Sequence, residues 1–451
     1  MQHTSVNNSS RLPGLLVFLV IVVVFASAFL LRIDFFRSSE VNHPFRSDAL
    51  EYFSAAYNFK FHGVYSTALP KAAVSPAPDA SRSPGYPLFL AALISTTDTP
   101  AGFERKVRFF QALIGSFSAV LVAWLVVQQL SLLYGLAAGI IVAIAPQLMV
   151  FESYMLTETL YTFELLVGVF AILWALKRQG GWAAILAGAW LGWISLTRPS
   201  AMLLPPFMVV GVCLLLWRSA NPPSRKTAVF LLIGWLAVVS LFFVRNAVTL
   251  GNPFPESRRG WESIVQGSYP GLSYEGSGIY GYPYRLDPLY QRMADDKDFA
   301  LQELKQRFLR HPARYLNWYL WGKIYESNKW SMKAEGAGDI YIYPFKTSAF
   351  EQQELFILLK LVSKYMHWPM MVLVVVAVGL WTYRLCTRQI DEAGFPLLSL
   401  LVLVVLYHLA QNVVFFPIAR YTVPLRPEYV VLSLLAVDWI TRWLQAKKEA
   451  G

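Results

Sequence analysis

The sequence predicts an all-α polytopic membrane protein, and three observations carry that prediction. Apolar residues make up 56% of the 451 positions and charged residues only 15%, outside the range of soluble domains. The apolar residues fall in long blocks, and short basic patches separate those blocks. A helix needs ~20 mostly apolar residues to cross a hydrocarbon core of ~30 Å, so the blocks read as repeated spans. The excess charge of +11 invites a nucleic-acid partner. Its placement between apolar blocks fits membrane topology instead, and no nucleic-acid partner is expected. Two cysteines, Cys213 and Cys386, lie in or beside apolar blocks and imply no disulfide framework.

Taken in order, the first block runs from Leu12 to Leu31 behind a polar head with Arg11. It exceeds the ~7–15 residues of a signal-peptide core and lacks a small-residue cleavage site, so it is read as a retained helix. Further blocks follow at 107–130, 132–150, 158–176, 182–197, 200–217, 228–247, 369–384, 395–412 and 424–442. The expectation is about ten transmembrane helices, give or take two. Lys177-Arg178, the patch from Arg218 through Arg225-Lys226, Arg384 with Arg388, and Arg442 with Lys447-Lys448 fall on one side. That side is expected to be cytoplasmic, with both termini there. The segment Leu355–Tyr365 is short for a span and is read as an interfacial helix.

Two long loops, 33–106 and 248–367, fall on the external side. The chain is thus organised as a membrane module 1–247 that includes the first loop, a large loop 248–367, and C-terminal helices 368–451. Residues 48–61 place Tyr52, Phe53, Ala56 and Phe59 at helical spacing, which predicts an amphipathic helix on the membrane. The second loop carries Trp261, Tyr269, Tyr274, Tyr280, Tyr282 and Tyr284. These suit an interfacial belt or a stacking platform for sugar rings, and the sequence leaves both open. Residues 294–326 are read as helical, with Phe308, Tyr315, Trp318, Tyr319 and Ile324 on the apolar face. No transporter-type internal repeat is evident.

Five short motifs recur in a telling order. Arg46-Ser47-Asp48-Ala49-Leu50-Glu51-Tyr52 follows the first helix, and Arg82-Ser83-Pro84-Gly85-Tyr86-Pro87-Leu88-Phe89 lies in the same loop. Leu156-Thr157-Glu158-Thr159-Leu160 opens a later span, and Leu196-Thr197-Arg198-Pro199 and Ala419-Arg420-Tyr421-Thr422-Val423-Pro424 come after it. Together they resemble the polytopic GT-C glycosyltransferases, in the group holding the protein O-mannosyltransferases and the lipid A aminoarabinose transferases. The first motif is similar to that group's Asp-x-x-x-Tyr signature.

The resemblance implies a GT-C fold and a donor in which a polyprenyl phosphate carries the sugar. It implies an inverting transfer to a hydroxyl of a glycan, lipid or protein, at the external face of a bacterial plasma membrane. Asp48 would be the general base, since a carboxylate in reach of a hydroxyl can take its proton. Its alternative role is a helix cap, by Ser47 or Asp48. Glu158 would be a second active-site acid orienting the acceptor, with a cap again the alternative. Arg82 would hold the donor phosphate, because guanidinium binds two phosphate oxygens at once. Snorkelling to headgroups is its alternative. Arg420 and Tyr421 would add a second phosphate contact, while Arg198 and Arg245 are equally explained by headgroups. Tyr52, Pro84, Gly85 and Tyr86 would support the site, the prolines and glycine by fixing the turn that presents Arg82. On this reading Asp48→Asn abolishes transfer with stability nearly unchanged.

Two positions depart from the aminoarabinose branch. Glu51 stands where that branch has an arginine, and Ser81 where it has a glutamate associated with a metal. The six histidines are scattered, with only His43 and His62 in the first loop, so no metal ligands are assigned. A divalent metal is left open as a cofactor. The absence of a Gly-rich nucleotide loop agrees with a lipid donor. The competing class is a transporter or flippase, or a non-catalytic assembly subunit, for lipid-linked glycans.

Overall fold

A computed structural model describes residues 14–70, 75–216, 225–255, 258–274, 283–332, 345–390 and 394–450. Arg11 and the start of the first block, Arg218, Tyr280 and Tyr282 lie outside these residues. The chain begins with α1 (Gly14–Ser38), whose Val20, Val24 and Ala28 form a buried stripe at four-residue spacing. The rest of its surface is apolar and outward, with Leu15 and Leu30 more than 60% exposed, as suits a helix facing lipid. Two short helices follow in the first loop, α2 (Asp48–His62) and α3 (Gly85–Leu93).

The path then returns along α4 (Pro100–Gln129). Thr99 caps this helix by accepting from the Gly102 N–H, and Pro100 fills the first turn, where no N–H is needed. α5 (Leu132–Ala143) and α6 (Pro146–Glu152) form one path bent by 49°. Pro146 forces Ala145 out of the helical region, and the span breaks there. α7 (Glu158–Arg178), α8 (Gly181–Thr197), α9 (Leu204–Leu216) and α10 (Arg225–Leu250) complete the first half. α8 and α10 pack so closely that a Cβ on Gly188 would lie 2.8 Å from the carbonyl carbon of Leu231.

The second loop folds into short helices: α11 (Arg258–Gly267), α12 (Pro283–Leu286), α13 (Tyr290–Asp295), α14 (Lys297–Arg310), α15 (Pro312–Asn317), α16 (Lys323–Asn328) and α17 (Ala349–Gln352). The helix expected over 294–326 is thus interrupted, because Pro312 starts a new helix and Trp318–Gly322 forms a π-turn. A two-stranded antiparallel ladder pairs β1 (Glu40–Val41) with β2 (Phe345–Thr347) and ties the two loops together. Behind it, Phe35 touches the rings of Phe345, Phe350 and Phe356.

The C-terminal part contains α18 (Glu354–Cys386), α19 (Phe395–Val414) and α20 (Arg426–Ala450). α18 corrects the expectation of a separate interfacial helix at 355–365. The 33 residues run continuously through Pro369 and reach ~50 Å, so the first turns extend beyond the span. Among the described residues six helices are long and apolar enough to cross a membrane, or seven if the bent α5–α6 pair is one span. The expectation of about ten also took in α8 and α9, which are shorter, and α20, which is interrupted by charge. α19 is buried nearly all round and forms the inner post of the bundle.

Candidate functional site

All five motifs meet at one end of the bundle. Asp48 is the first residue of α2, behind Ser47, whose backbone takes a φ of 50°. No side chain caps α2, so the cap alternative does not describe Asp48. Its carboxylate instead lies between two guanidinium groups. Arg82 Nη2 donates to Oδ1, and Arg420 Nη1 donates to Oδ2 at 3.1 Å. Glu158 opens α7 in the same manner, uncapped by any side chain, and accepts from Arg420 Nε at 2.6 Å. Asp48, Glu158 and Arg420 are all buried.

Arg82 turns inward rather than towards headgroups. Its Nε donates to Glu51 Oε2 at 2.6 Å, and its guanidinium lies 4.9 Å from the centre of the Tyr52 ring. Tyr52 sits edge-to-face on Tyr86, and the Tyr86 hydroxyl donates to Gln111 on α4. Pro84 precedes α3, and Gly85 begins it against α8. A Cβ on Gly85 would lie 2.7 Å from the Thr197 Cα, so only glycine allows this approach. The supporting residues Tyr52, Pro84, Gly85 and Tyr86 therefore form the bed on which Arg82 rests. Arg245 also acts within the protein: it donates to the carbonyls of Asp79 and Tyr65 and pins the loop that leads to Arg82.

Three further residues complete the cluster. Arg259 on α11 donates to both oxygens of Glu51 at 2.9 and 2.8 Å. Arg198, at the end of α8, lies 4.0 Å from Glu158 and between the rings of Tyr161 and Tyr421. Tyr421 thus stacks on a cation through its ring. Three carboxylates (Asp48, Glu51, Glu158) face four guanidiniums (Arg82, Arg198, Arg259, Arg420), which leaves a surplus positive charge. Arg198 Nη1 and Glu158 Oε2 are buried there without hydrogen-bond partners.

Burial works to raise the Asp48 pKa, but Arg82 and Arg420 outweigh it and hold the carboxyl below its ordinary range. Burial also opposes the charge of Arg420, and Glu158 and Asp48 more than restore it. Asp48 and Arg420 consequently both favour their charged forms. Among the described residues no group of three or more His, Cys, Asp or Glu side chains could hold a metal. Asp48 and Glu158 already share the Arg420 guanidinium between them, so this arrangement does not fit a divalent ion.

The sequence missed Arg259 and the bridging role of Glu51, because that pair joins residues 208 positions apart. It also missed Glu164, buried on α7 and accepting from the Thr197 hydroxyl at 2.9 Å. An acidic residue inside an apolar run was its available signal.

No protein-family model matches the chain, and no curated protein resembles it in sequence. Solved structures do share its fold. The oligosaccharyltransferase of Archaeoglobus fulgidus in its apo form superposes with a TM-score of 0.52 at 14% identity, over 96% of this chain and 52% of that one. The oligosaccharyltransferase AglB of the same organism, in complex with an inhibitory peptide and a dolichol-phosphate, gives 0.53 at 13%, over 96% and 51%. A complex of the enzyme with Zn and sulfate gives 0.51 at 14%, over 94% and 49%. The chain spans about half the length of these neighbours. The likeness is one of fold alone.

Proposed function

We propose that the protein is an inverting membrane glycosyltransferase that moves a sugar from a polyprenyl-phosphate donor to an acceptor hydroxyl. One observation carries this reading: Asp48, Arg82, Glu158 and Arg420, from three separate segments, join in one largely buried network that, with Glu51, Arg198 and Arg259, holds one more guanidinium than carboxylate. The fold shared with a structure that holds a dolichol-phosphate and a peptide supports a lipid-phosphate donor. The acceptor class covers glycolipid, polysaccharide and protein hydroxyls. Basic residues at the opposite ends of α7, α10 and α18 support a cytoplasmic side there, and an external site in a bacterial plasma membrane.

In this mechanism the donor phosphate competes with Glu51 and Asp48 for Arg82, while Arg198 offers its unpartnered N–H. Drawing Arg82 towards the phosphate removes a partner that holds the Asp48 pKa down, and the carboxylate becomes more basic as the donor seats. The acceptor oxygen then bonds to the anomeric carbon as its proton passes to Asp48. The bond from that carbon to the phosphate oxygen breaks on the opposite face, and the phosphate keeps the electron pair. Guanidinium donors neutralise the charge that develops. Glu158 is a positioning residue that aims Arg420.

The test is transfer from a panel of radiolabelled polyprenyl-phosphate sugars by purified protein and membranes, with and without a chelator. Asp48→Asn is expected to lower the rate by about a hundredfold to ten-thousandfold. The structure revises the expectation of unchanged stability. Asn removes the charge opposite two buried guanidiniums, and a loss of about 2 kcal/mol is expected. Transfer that survives in a folded Asp48→Asn protein excludes Asp48 as base, and no transfer from any lipid donor overturns the reading.

A further inference from the structure

A second cavity lies between α5 and α6 on one side and α18 and α20 on the other. Its volume is about 290 Å³, and Leu148, Leu359, Met370, Val430 and Leu434 are among its apolar walls. Arg426, the first residue of α20, also lines it and is only 5% exposed. Arg426 Nη1 donates to Nδ1 of His367 at 2.8 Å. His367 Nε2 lies 2.8 Å from the Asn328 carbonyl oxygen, which can only accept. Nε2 therefore carries the proton, Nδ1 presents its lone pair, and the imidazole is neutral. The guanidinium consequently has no counter-charge from His367. Its Nε lacks any hydrogen-bond partner, and both carboxylate oxygens of Glu428, two residues on, lack partners too, so the two residues form no direct ion pair among the described residues.

A buried cation without an anion is unfavourable, and its position at the head of an apolar groove fits an amphiphile with an anionic end. The volume limits the tail. A cavity of ~150 Å³ takes one benzene ring, so this one holds about a dozen carbon atoms of a single chain. The paired tails of a bilayer phospholipid exceed it. We propose that the groove binds the phosphate-proximal segment of a single-chain prenyl phosphate, with the phosphate on Arg426. The identity of that chain as the lipid carrier rests on the transferase reading. The turn Ala419–Leu425 joins Arg420 directly to Arg426, so the same connection carries a cation of the Asp48 centre and the cation of the groove.

Binding tests this without any transfer. The full chain in detergent is titrated with farnesyl phosphate, farnesol and inorganic phosphate, with calorimetry as readout. Farnesyl phosphate is expected to bind at least about tenfold more tightly than farnesol, with inorganic phosphate weakest. Titrated in an Arg82→Gln background, which removes the donor site, Arg426→Gln is expected to abolish that preference, and Val430→Trp, which fills the groove, to abolish binding of both prenyl ligands. Equal affinity for farnesol and farnesyl phosphate overturns the proposal. So does phosphate-selective binding that is already lost in Arg82→Gln alone, which assigns the phosphate to the Asp48 centre. Should Arg426→Gln fail to fold, the ligand series on the native chain and Val430→Trp decides alone.

Discussion

Glu51 lies less than one helical turn after Asp48, and the two acids divide the donors of Arg82 between them. Asp48 is buried beside Arg420 as well, whereas Glu51 is one-third exposed and is also held by Arg259. Glu51 is thus the partner a phosphate displaces more easily. Glu51→Gln should lower the donor KM by about twofold to fivefold with kcat retained, since it weakens a competitor in a partly screened position. Steady-state kinetics over a donor series checks this, and a raised KM would show that Glu51 helps to bind donor. Because the folded pKa of Asp48 is depressed, its contribution to stability is present above its unfolded value near 3.8. That contribution disappears as pH falls through the folded value. The pairing of Asp48 with Arg82 was legible because both charges sit in one loop, and the four-residue step to Tyr52 puts that ring on the same helical face. The contact with Arg420, 372 residues away, depends on tertiary packing that no local pattern encodes.

At the scale of elements, the position of Arg82 is set by how closely α3 rests on α8. Gly85→Ala would place a methyl group within 2.7 Å of the Thr197 Cα, against backbone that cannot rotate away. The variant is expected to lose about 1–3 kcal/mol of stability and to lower transfer, because α3 must lift and carry Arg82 with it. Thermal unfolding read beside activity checks the pair of effects, and an unchanged melting temperature would contradict the close approach. The same scale separates what the sequence conveyed from what it did not. Apolar runs located α1, α4, α7, α10 and α19 because length and hydropathy decide those spans alone. They misjudged α18, where Lys360 and Lys364 broke the apolar count but not the helix. Lysine is a good helix former, and Lys360 reaches the Phe350 carbonyl instead of ending the turn. The bend at Pro146 and the ladder between β1 and β2 likewise follow from tertiary fit, since a two-residue strand carries no periodicity.

Across the whole molecule, the C-terminal helices are joined to the second loop by Lys323, which is fully buried on α16. Its ammonium donates to the carbonyls of Val413 and Phe415 at 2.7 and 3.0 Å, capping the end of α19, and lies 4.4 Å from the centre of the Tyr319 ring. Those carbonyls have no partner within the helix, and the helix dipole favours a cation there. Burial nevertheless pushes the Lys323 pKa down to about 7 from 10.5, and the neutral amine keeps two N–H donors for the same carbonyls. Between those values the unfolded chain binds a proton that the folded chain does not, so stability rises with pH across the interval and levels off on either side. Lys323→Met should remove that rise and, by leaving two buried carbonyls unmatched, cost about 1–3 kcal/mol at high pH. The turn that carries Arg420 begins four residues after Phe415, so transfer should fall with the loss of this tie even though Lys323 touches none of the reacting groups. Melting temperatures of both proteins between pH 6 and pH 10 check the argument through their difference, because every other titrating group cancels. A parallel pair of curves would show that Lys323 stays charged in the folded protein and that another group governs the alkaline side.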